Sequence, residues 1–127
     1  MADLFRNIET PCEVSFIRVS SYSGTTSTGT MKQVVGLSGN LKGRHIILIE
    51  DIVDTGETLT FLMKELSQHQ PASVKLVTLL FKPAALQKPV KVDYCGFEID
   101  PEFVVGYGLD YDGYGRNLQD IYVLKKS

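Results

Sequence analysis

The stretch Glu50-Asp51-Ile52-Val53-Asp54-Thr55-Gly56-Glu57-Thr58 has the residue types and the spacing to hold a sugar phosphate. Ahead of it runs His45-Ile46-Ile47-Leu48-Ile49, an unbroken apolar segment of the kind found in a parallel strand covered on both faces. Glu50 and Asp51 therefore leave the carboxyl end of a strand, which is where open α/β sheets bind ligands. A short loop then carries Asp54, Thr55 and Gly56, and a helix starts near Glu57 or Thr58. Gly56 permits a tight turn and the close approach of an anion. The first N–H groups of a helix lack intrahelical partners and make a ready phosphate site. Thr55 and Thr58 add hydroxyl donors. The acidic half suits sugar hydroxyls or a metal ion, and the other half suits a phosphate monoester. Asp-Thr-Gly alone can be a plain helix-capping turn, and Glu-Asp at a strand end is often merely solvated. The whole pattern behind an apolar strand favours a ribose 5-phosphate cradle.

Several elements must position this segment. Residues 57–69 read as a helix, with Leu59, Leu62, Met63 and Leu66 on one stripe and Pro71 just past the end. Residues 74–81 form a second apolar strand, so the centre of the chain is a strand–helix–strand unit with a right-handed crossover. Residues 2–9 read as a short helix with Leu4, Phe5 and Ile8 on one face. Residues 13–21 look like a strand with Val14, Phe16 and Ile17 inward. The small polar run of residues 22–30 and a return strand over 31–37 complete a hairpin arm with a flexible tip. Short strands are expected around residues 92–95, 103–105 and 121–124. The fold class is α/β with a mainly parallel sheet flanked by helices, in one domain over residues 1–127.

These motifs, in this order, resemble the type I phosphoribosyltransferase family. Ile46-Ile47-Leu48-Ile49-Glu50-Asp51-Ile52-Val53-Asp54-Thr55-Gly56-Glu57-Thr58 is similar to its motif for 5-phosphoribosyl 1-pyrophosphate (PRPP). Four further runs are similar to the hypoxanthine branch of the family: Leu79-Leu80-Phe81-Lys82-Pro83, Tyr94-Cys95-Gly96-Phe97-Glu98-Ile99, Phe103-Val104-Val105-Gly106-Tyr107-Gly108-Leu109-Asp110-Tyr111 and Tyr114-Gly115-Arg116-Asn117-Leu118. Ser20-Ser21-Tyr22 and Ser27-Thr28-Gly29 resemble its mobile loop. The resemblance implies a type I phosphoribosyltransferase fold and transfer of the phosphoribosyl group of PRPP to hypoxanthine or guanine, with release of pyrophosphate.

The resemblance also implies roles. Glu50 and Asp51 hold the ribose hydroxyls, directly or through Mg²⁺. Asp54 accepts the proton of the attacking purine nitrogen. Thr55, Gly56 and Thr58 bind the 5-phosphate, with Glu57 contributing mainly its backbone. Lys82 donates to the exocyclic oxygen of the purine, Phe103 stacks on its ring, and the Val104 backbone bonds its edge. Asp110 binds a second Mg²⁺ with pyrophosphate, Arg116 contacts the pyrophosphate oxygens, and Ser21 and Tyr22 belong to the loop that closes over PRPP. A strand and a pyrophosphate-binding loop precede the first helix in the family's pattern, so the chain is expected to lack the N-terminal part. On that expectation it is less stable and poorly active alone, binding Mg²⁺–PRPP weakly. Two other readings share the cradle: a non-catalytic PRPP- or nucleotide-sensing module, and a remnant that only pairs with intact subunits. The purine-directed Lys82 and Phe103 favour the enzyme, since a PRPP sensor needs no purine clamp.

Composition excludes other classes. The net charge is −2 over 127 residues, with both signs dispersed, so no basic face offers a footprint for polymeric nucleic acid. A 43% hydrophobic and 22% charged composition suits a globular protein, and no apolar run reaches membrane-spanning length. Cys12 and Cys95 form no Cys-x-x-Cys pair and are expected to be reduced, partly buried thiols in a cytoplasmic protein. His45 and His69 have no partner pattern for catalysis or metal binding. The family resemblance implies a dimer or tetramer.

Overall fold

The computed structural model describes residues 1–23 and 30–125, with residues 20–23 and 30–33 described through their backbone alone. The chain divides into two compact units. One takes Met1–Ile47 and Glu57–Val74, the other Leu48–Gly56 and Lys75–Ser127.

The first unit opens with helix α1, Ala2–Phe5. The expected helix over residues 2–9 stops early, and its apolar face is little covered among the described residues: Leu4 and Ile8 are exposed and Phe5 is half-buried. Strands β1, Arg18–Ser23, and β2, Thr30–Val35, form an antiparallel hairpin in which Arg18 pairs with Val35 and Ser23 with Thr30. The strand expected from residue 13 begins only at Arg18, where β2 provides a partner. Val14 and Phe16 are exposed rather than inward, and Phe16 is 76% open to solvent. Residues 24–29, the expected tip with Gly24 and Gly29, lie outside the described residues. Helix α2, Glu57–Gln68, buries Leu59, Leu62 and Leu66 as one stripe, while Met63 at its margin is half-buried. Two residues past its end, Gln70 takes a left-handed φ of 53°. The Gln70 carbonyl there accepts the Gly43 N–H at 2.9 Å, and the Ala72 N–H bonds the Arg44 carbonyl at 2.8 Å.

The second unit is built on a three-stranded sheet of order β3–β4–β5: His45–Val53, Ser73–Phe81 and Tyr94–Glu98, with β4 and β5 parallel. The first residues of β3 and β4 belong to the first unit. Central β4 supplies the core, with Leu76 fully buried, Thr78 and Leu80 nearly so, and Val53 of β3 likewise enclosed. The Thr78 hydroxyl donates to the Leu80 carbonyl at 2.8 Å, which removes the cost of burying it. The expectation that the β3 run is covered on both faces fails at Ile47, which is 60% exposed. β5 is exposed along its whole length, as befits the edge strand it is. Both cysteines are free and exposed, not partly buried: Cys12 sits in the unpaired stretch before β1, and Cys95 lies on β5. A small antiparallel pair, β6 Val104–Val105 and β7 Tyr122–Val123, completes the unit. Among the described residues no helix is long and apolar enough to cross a membrane.

One side chain ties β4 to the loop ahead of β5. The Asp93 carboxylate accepts the Leu76 N–H at 2.9 Å and pairs with Lys75 Nζ at 3.0 Å. The Leu76 hydrogen bond first, and the Lys75 ammonium second, hold Asp93 below the usual carboxylate range. A depressed folded-state value means that this stabilisation is present above the unfolded-state value and is lost as pH falls through the folded one. Asp93→Asn is therefore expected to flatten the loss of stability on acidification below about pH 4, read from urea midpoints across that range. Leu76→Ala, at the centre of the sheet, is expected to cost roughly 2–5 kcal/mol in the same measurement.

Candidate active site

Strand ends of the second unit converge on a cavity of about 300 Å³ lined by Asp51, Ile52, Asp54, Lys82, Phe103, Val104, Leu109, Asp110 and Arg116. That volume lies at the lower end of small-molecule sites. The wall is drawn from three regions that are far apart in sequence: the end of β3, the residue after β4, and the segment running from β6 into its following loop.

Lys82 is the key to its electrostatics. The residue follows Phe81 at the end of β4, and its N–H donates to the Val53 carbonyl at 2.9 Å. Its side chain is only 7% exposed, yet it carries an ammonium, which Asp54 Oδ2 meets at 3.2 Å. Asp54 itself is about half exposed. A buried lysine thus holds a carboxylate at the cavity edge, and one donor and one acceptor face the same small space. Asp51 is exposed, and its Oδ1 accepts the Ile52 N–H at 2.8 Å, which fixes its carboxyl group. Glu50 is half-buried on β3 and does not line the cavity. Burial first, and the Asp51 charge second, push its carboxyl above the usual range.

The opposite wall is a self-supporting loop. Arg116 donates through Nη1 to the Gly108 carbonyl at 2.7 Å, and its Nη2 pairs with Asp110 Oδ1 at 2.7 Å. Asp110 Oδ2 accepts the Gly113 N–H at 2.8 Å. The Gly108 N–H returns to the Arg116 carbonyl at 2.9 Å. Phe103, 49% exposed, stands beside this loop with Tyr111 perpendicular to it, ring centroids 5.7 Å apart. Val104 is buried and pairs with Val123, and β7 is its only strand partner among the described residues.

Thr55 and Gly56 lie outside the cavity wall. Gly56 has a φ of 80°, and a Cβ there would meet Val90 Cγ2 at 2.8 Å and the Lys88 carbonyl at 2.9 Å. The Thr55 carbonyl accepts the N–H groups of Gln87 and Lys88 at 2.9 and 3.1 Å. Packing by the protein's own chain therefore requires a glycine here. Glu57 and Thr58 are exposed in the first turn of α2. Ser21 and Tyr22 lie on β1, opposite Lys32 and Met31, rather than in a loop. Ile52 and Leu109 line the cavity without having been singled out. Their only signal in the sequence is position, between Asp51 and Asp54 and directly before Asp110.

A phosphoribosyl transferase domain model matches residues 1–112. The hypoxanthine-guanine phosphoribosyltransferase of Lactococcus lactis is 48% identical over 126 residues, 98% of this chain and 68% of the relative. That of Bacillus subtilis is 46% identical, over 98% of this chain and 70% of the relative. This chain belongs to the hypoxanthine-guanine phosphoribosyltransferase family. The crystal structure of a hypoxanthine phosphoribosyltransferase from Staphylococcus aureus superposes with a TM-score of 0.88 at 38% identity, covering 98% of this chain and 68% of that one. The chain thus spans about 68% of the length of these family members. The type I phosphoribosyltransferase fold expected from the motifs is the fold found. Members of this family are purine-salvage enzymes that move a phosphoribosyl group from PRPP.

The Lys82–Asp54 contact should reveal itself in a double-mutant cycle. Asp54→Leu leaves a buried ammonium without its carboxylate and is expected to destabilise by about 1–3 kcal/mol, below the cost for a fully buried pair because Asp54 is half in solvent. Lys82→Met removes the charge itself and should cost less. Combined with Asp54→Leu it should recover most of the loss in urea unfolding.

Proposed function

We propose that this chain binds PRPP and a 6-oxopurine in the cavity beside Asp54 and carries out the chemistry of purine phosphoribosyl transfer there. The observation that carries the reading is the meeting of Asp54, Lys82, Phe103, Asp110 and Arg116 around one cavity of about 300 Å³.

Breaking the bond between the ribose and pyrophosphate builds positive charge on the sugar and negative charge on the leaving group. Asp54 accepts a proton from the five-membered ring of the purine, at the ring nitrogen beside the exocyclic oxygen, as the other nitrogen of that ring bonds the sugar carbon and pyrophosphate leaves. Lys82 Nζ, 3.2 Å from Asp54, donates to the exocyclic oxygen of the purine, so that one ion pair reads two neighbouring groups of the base. Phe103 stacks on the ring, and the Val104 backbone bonds its edge. Thr55, Gly56 and Thr58, with the Glu57 backbone, bind the 5-phosphate, while Glu50 and Asp51 hold the ribose hydroxyls. The burial that raises Glu50 supports such a role, because a hydroxyl donor or a cation relieves it. Arg116 turns its fork to pyrophosphate oxygens.

The acidic residues fit Mg²⁺. Among the described residues no three His, Cys, Asp or Glu side chains converge into a cage. Mg²⁺ is commonly bound by one or two carboxylates completed by substrate oxygens and water. Asp51 and Glu50 would hold one ion against the ribose. Asp110 would hold a second, but both its oxygens are already engaged, by Arg116 and by the Gly113 N–H. The ion, when bound, supplies charge neutralisation of the pyrophosphate.

Asp54→Asn keeps the shape and removes the proton acceptor. Its turnover, followed as pyrophosphate release with hypoxanthine and PRPP, is expected to fall by about 10²–10⁴, while PRPP affinity changes little. Equal losses in turnover and in PRPP affinity would remove Asp54 from the proton-accepting role.

A further inference from the structure

We propose that Tyr111 is a positioning residue for the purine. By standing perpendicular to Phe103 it holds that ring in the orientation in which a 6-oxopurine stacks. The proposal rests on the reading that Phe103 is the stacking platform.

Phe103 is 49% exposed at the cavity wall. A ring so open to solvent is held by few neighbours and is free to leave the plane a ligand needs. Fixing it at the moment of binding costs entropy, so a contact that restrains it beforehand raises affinity. Tyr111 makes that contact, at 5.7 Å between centroids and 81° between planes. Ring quadrupoles favour this perpendicular geometry over a flat sandwich. A perpendicular neighbour also covers at most one face of Phe103, which leaves a face for a flat heterocycle.

Tyr111 can act as a brace because its own backbone is held. Its N–H donates to the Tyr114 carbonyl at 2.9 Å, and the Tyr114 N–H returns to the Tyr111 carbonyl at 3.0 Å. Between them Asp112 and Gly113 take left-handed φ values of 49° and 82° and close a tight turn. Asp110, the preceding residue, anchors that turn through the Gly113 N–H at 2.8 Å and is itself paired with Arg116. At the other end of the contact, the Phe103 carbonyl accepts the Leu124 N–H at 2.8 Å. The backbones of both rings are therefore set, and the edge-to-face contact fixes the remaining freedom of the Phe103 side chain. Tyr111 does not line the cavity, so its influence on a ligand passes through Phe103.

The test is calorimetric binding of two ligands, inosine 5′-phosphate and ribose 5-phosphate, which share the sugar phosphate and differ by the base. Tyr111→Leu is expected to weaken inosine 5′-phosphate roughly two- to tenfold and to leave ribose 5-phosphate unchanged. Tyr111→Phe, which keeps the ring, should bind both like the parent chain. Phe103→Leu should weaken only the nucleotide. If Tyr111→Leu binds inosine 5′-phosphate as the parent does while Phe103→Leu does not, the proposal is overturned and the stacking reading stands. Equal weakening of both ligands by Tyr111→Leu also overturns it, as damage not specific to the base. If Phe103→Leu leaves nucleotide affinity untouched, the stacking reading falls and takes the proposal with it. Tyr111→Met is a second non-aromatic variant, held to the same outcomes should Tyr111→Leu fail to fold.

Discussion

A lysine side chain that is almost wholly buried must find a counter-charge, and the candidate active site is organised around that need. Lys82 lies at the end of the central strand with its backbone tied to Val53 of the neighbouring strand. Its ammonium reaches Asp54, the residue after Val53. Backbone and side chain together thus clamp the carboxyl ends of two adjacent strands. The pair is asymmetric, because burial withdraws the lysine from water while the carboxylate stays half in solvent. Such a lysine is costly to leave without its carboxylate.

Around it the loops are held by backbone hydrogen bonds. The Thr55 carbonyl takes two N–H groups, from Gln87 and Lys88, so the loop after Asp54 is closed by the segment that follows β4. The loop carrying Asp110 and Arg116 is folded on itself by Gly108–Arg116 and Tyr111–Tyr114 bonds. Gly106 of that loop has no alternative, since a Cβ there would collide with the Asp120 carbonyl. In this state Asp110 and Arg116 neutralise each other. Any anion that engages Arg116 must compete with this formed ion pair.

The helix and strands at the centre of the chain were legible because their signals are strong and local. The stripe Leu59, Leu62 and Leu66 and the strong apolar character of residues 74–81 leave little choice of structure, and the observed α2 and β4 agree with them within a residue at each end. The N-terminal stretch was misread for the opposite reason. Val14, Phe16 and Ile17 have the composition of a strand, but a strand exists only where a partner pairs with it, and pairing begins at Arg18. Cys12 and Cys95 were expected to be partly buried from their apolar neighbours, yet burial depends on what packs over a segment. Sequence cannot say that of an edge strand such as β5.

For the site, the sequence determined the inventory: two acids at a strand end, Asp54 in the following loop, a lysine closing the next strand, and an aromatic residue ahead of a Gly-rich loop. Motif order sufficed because each chemistry needs a particular residue type beside a particular backbone feature. Tertiary structure alone decided which of these meet. It put Asp51, Asp54, Lys82, Phe103, Val104, Asp110 and Arg116 around one cavity and left Glu50 out of it. It assigned Gly56 to internal packing, paired Asp110 with Arg116, and set Tyr111 against Phe103. Some of these contacts join segments distant along the chain, as Gly56 does with Lys88 and Val90, and others join residues of one loop region, as Asp110 does with Arg116. Their existence depends on distances of a few ångströms that only the packed sheet and its loops define, so no local pattern could carry them.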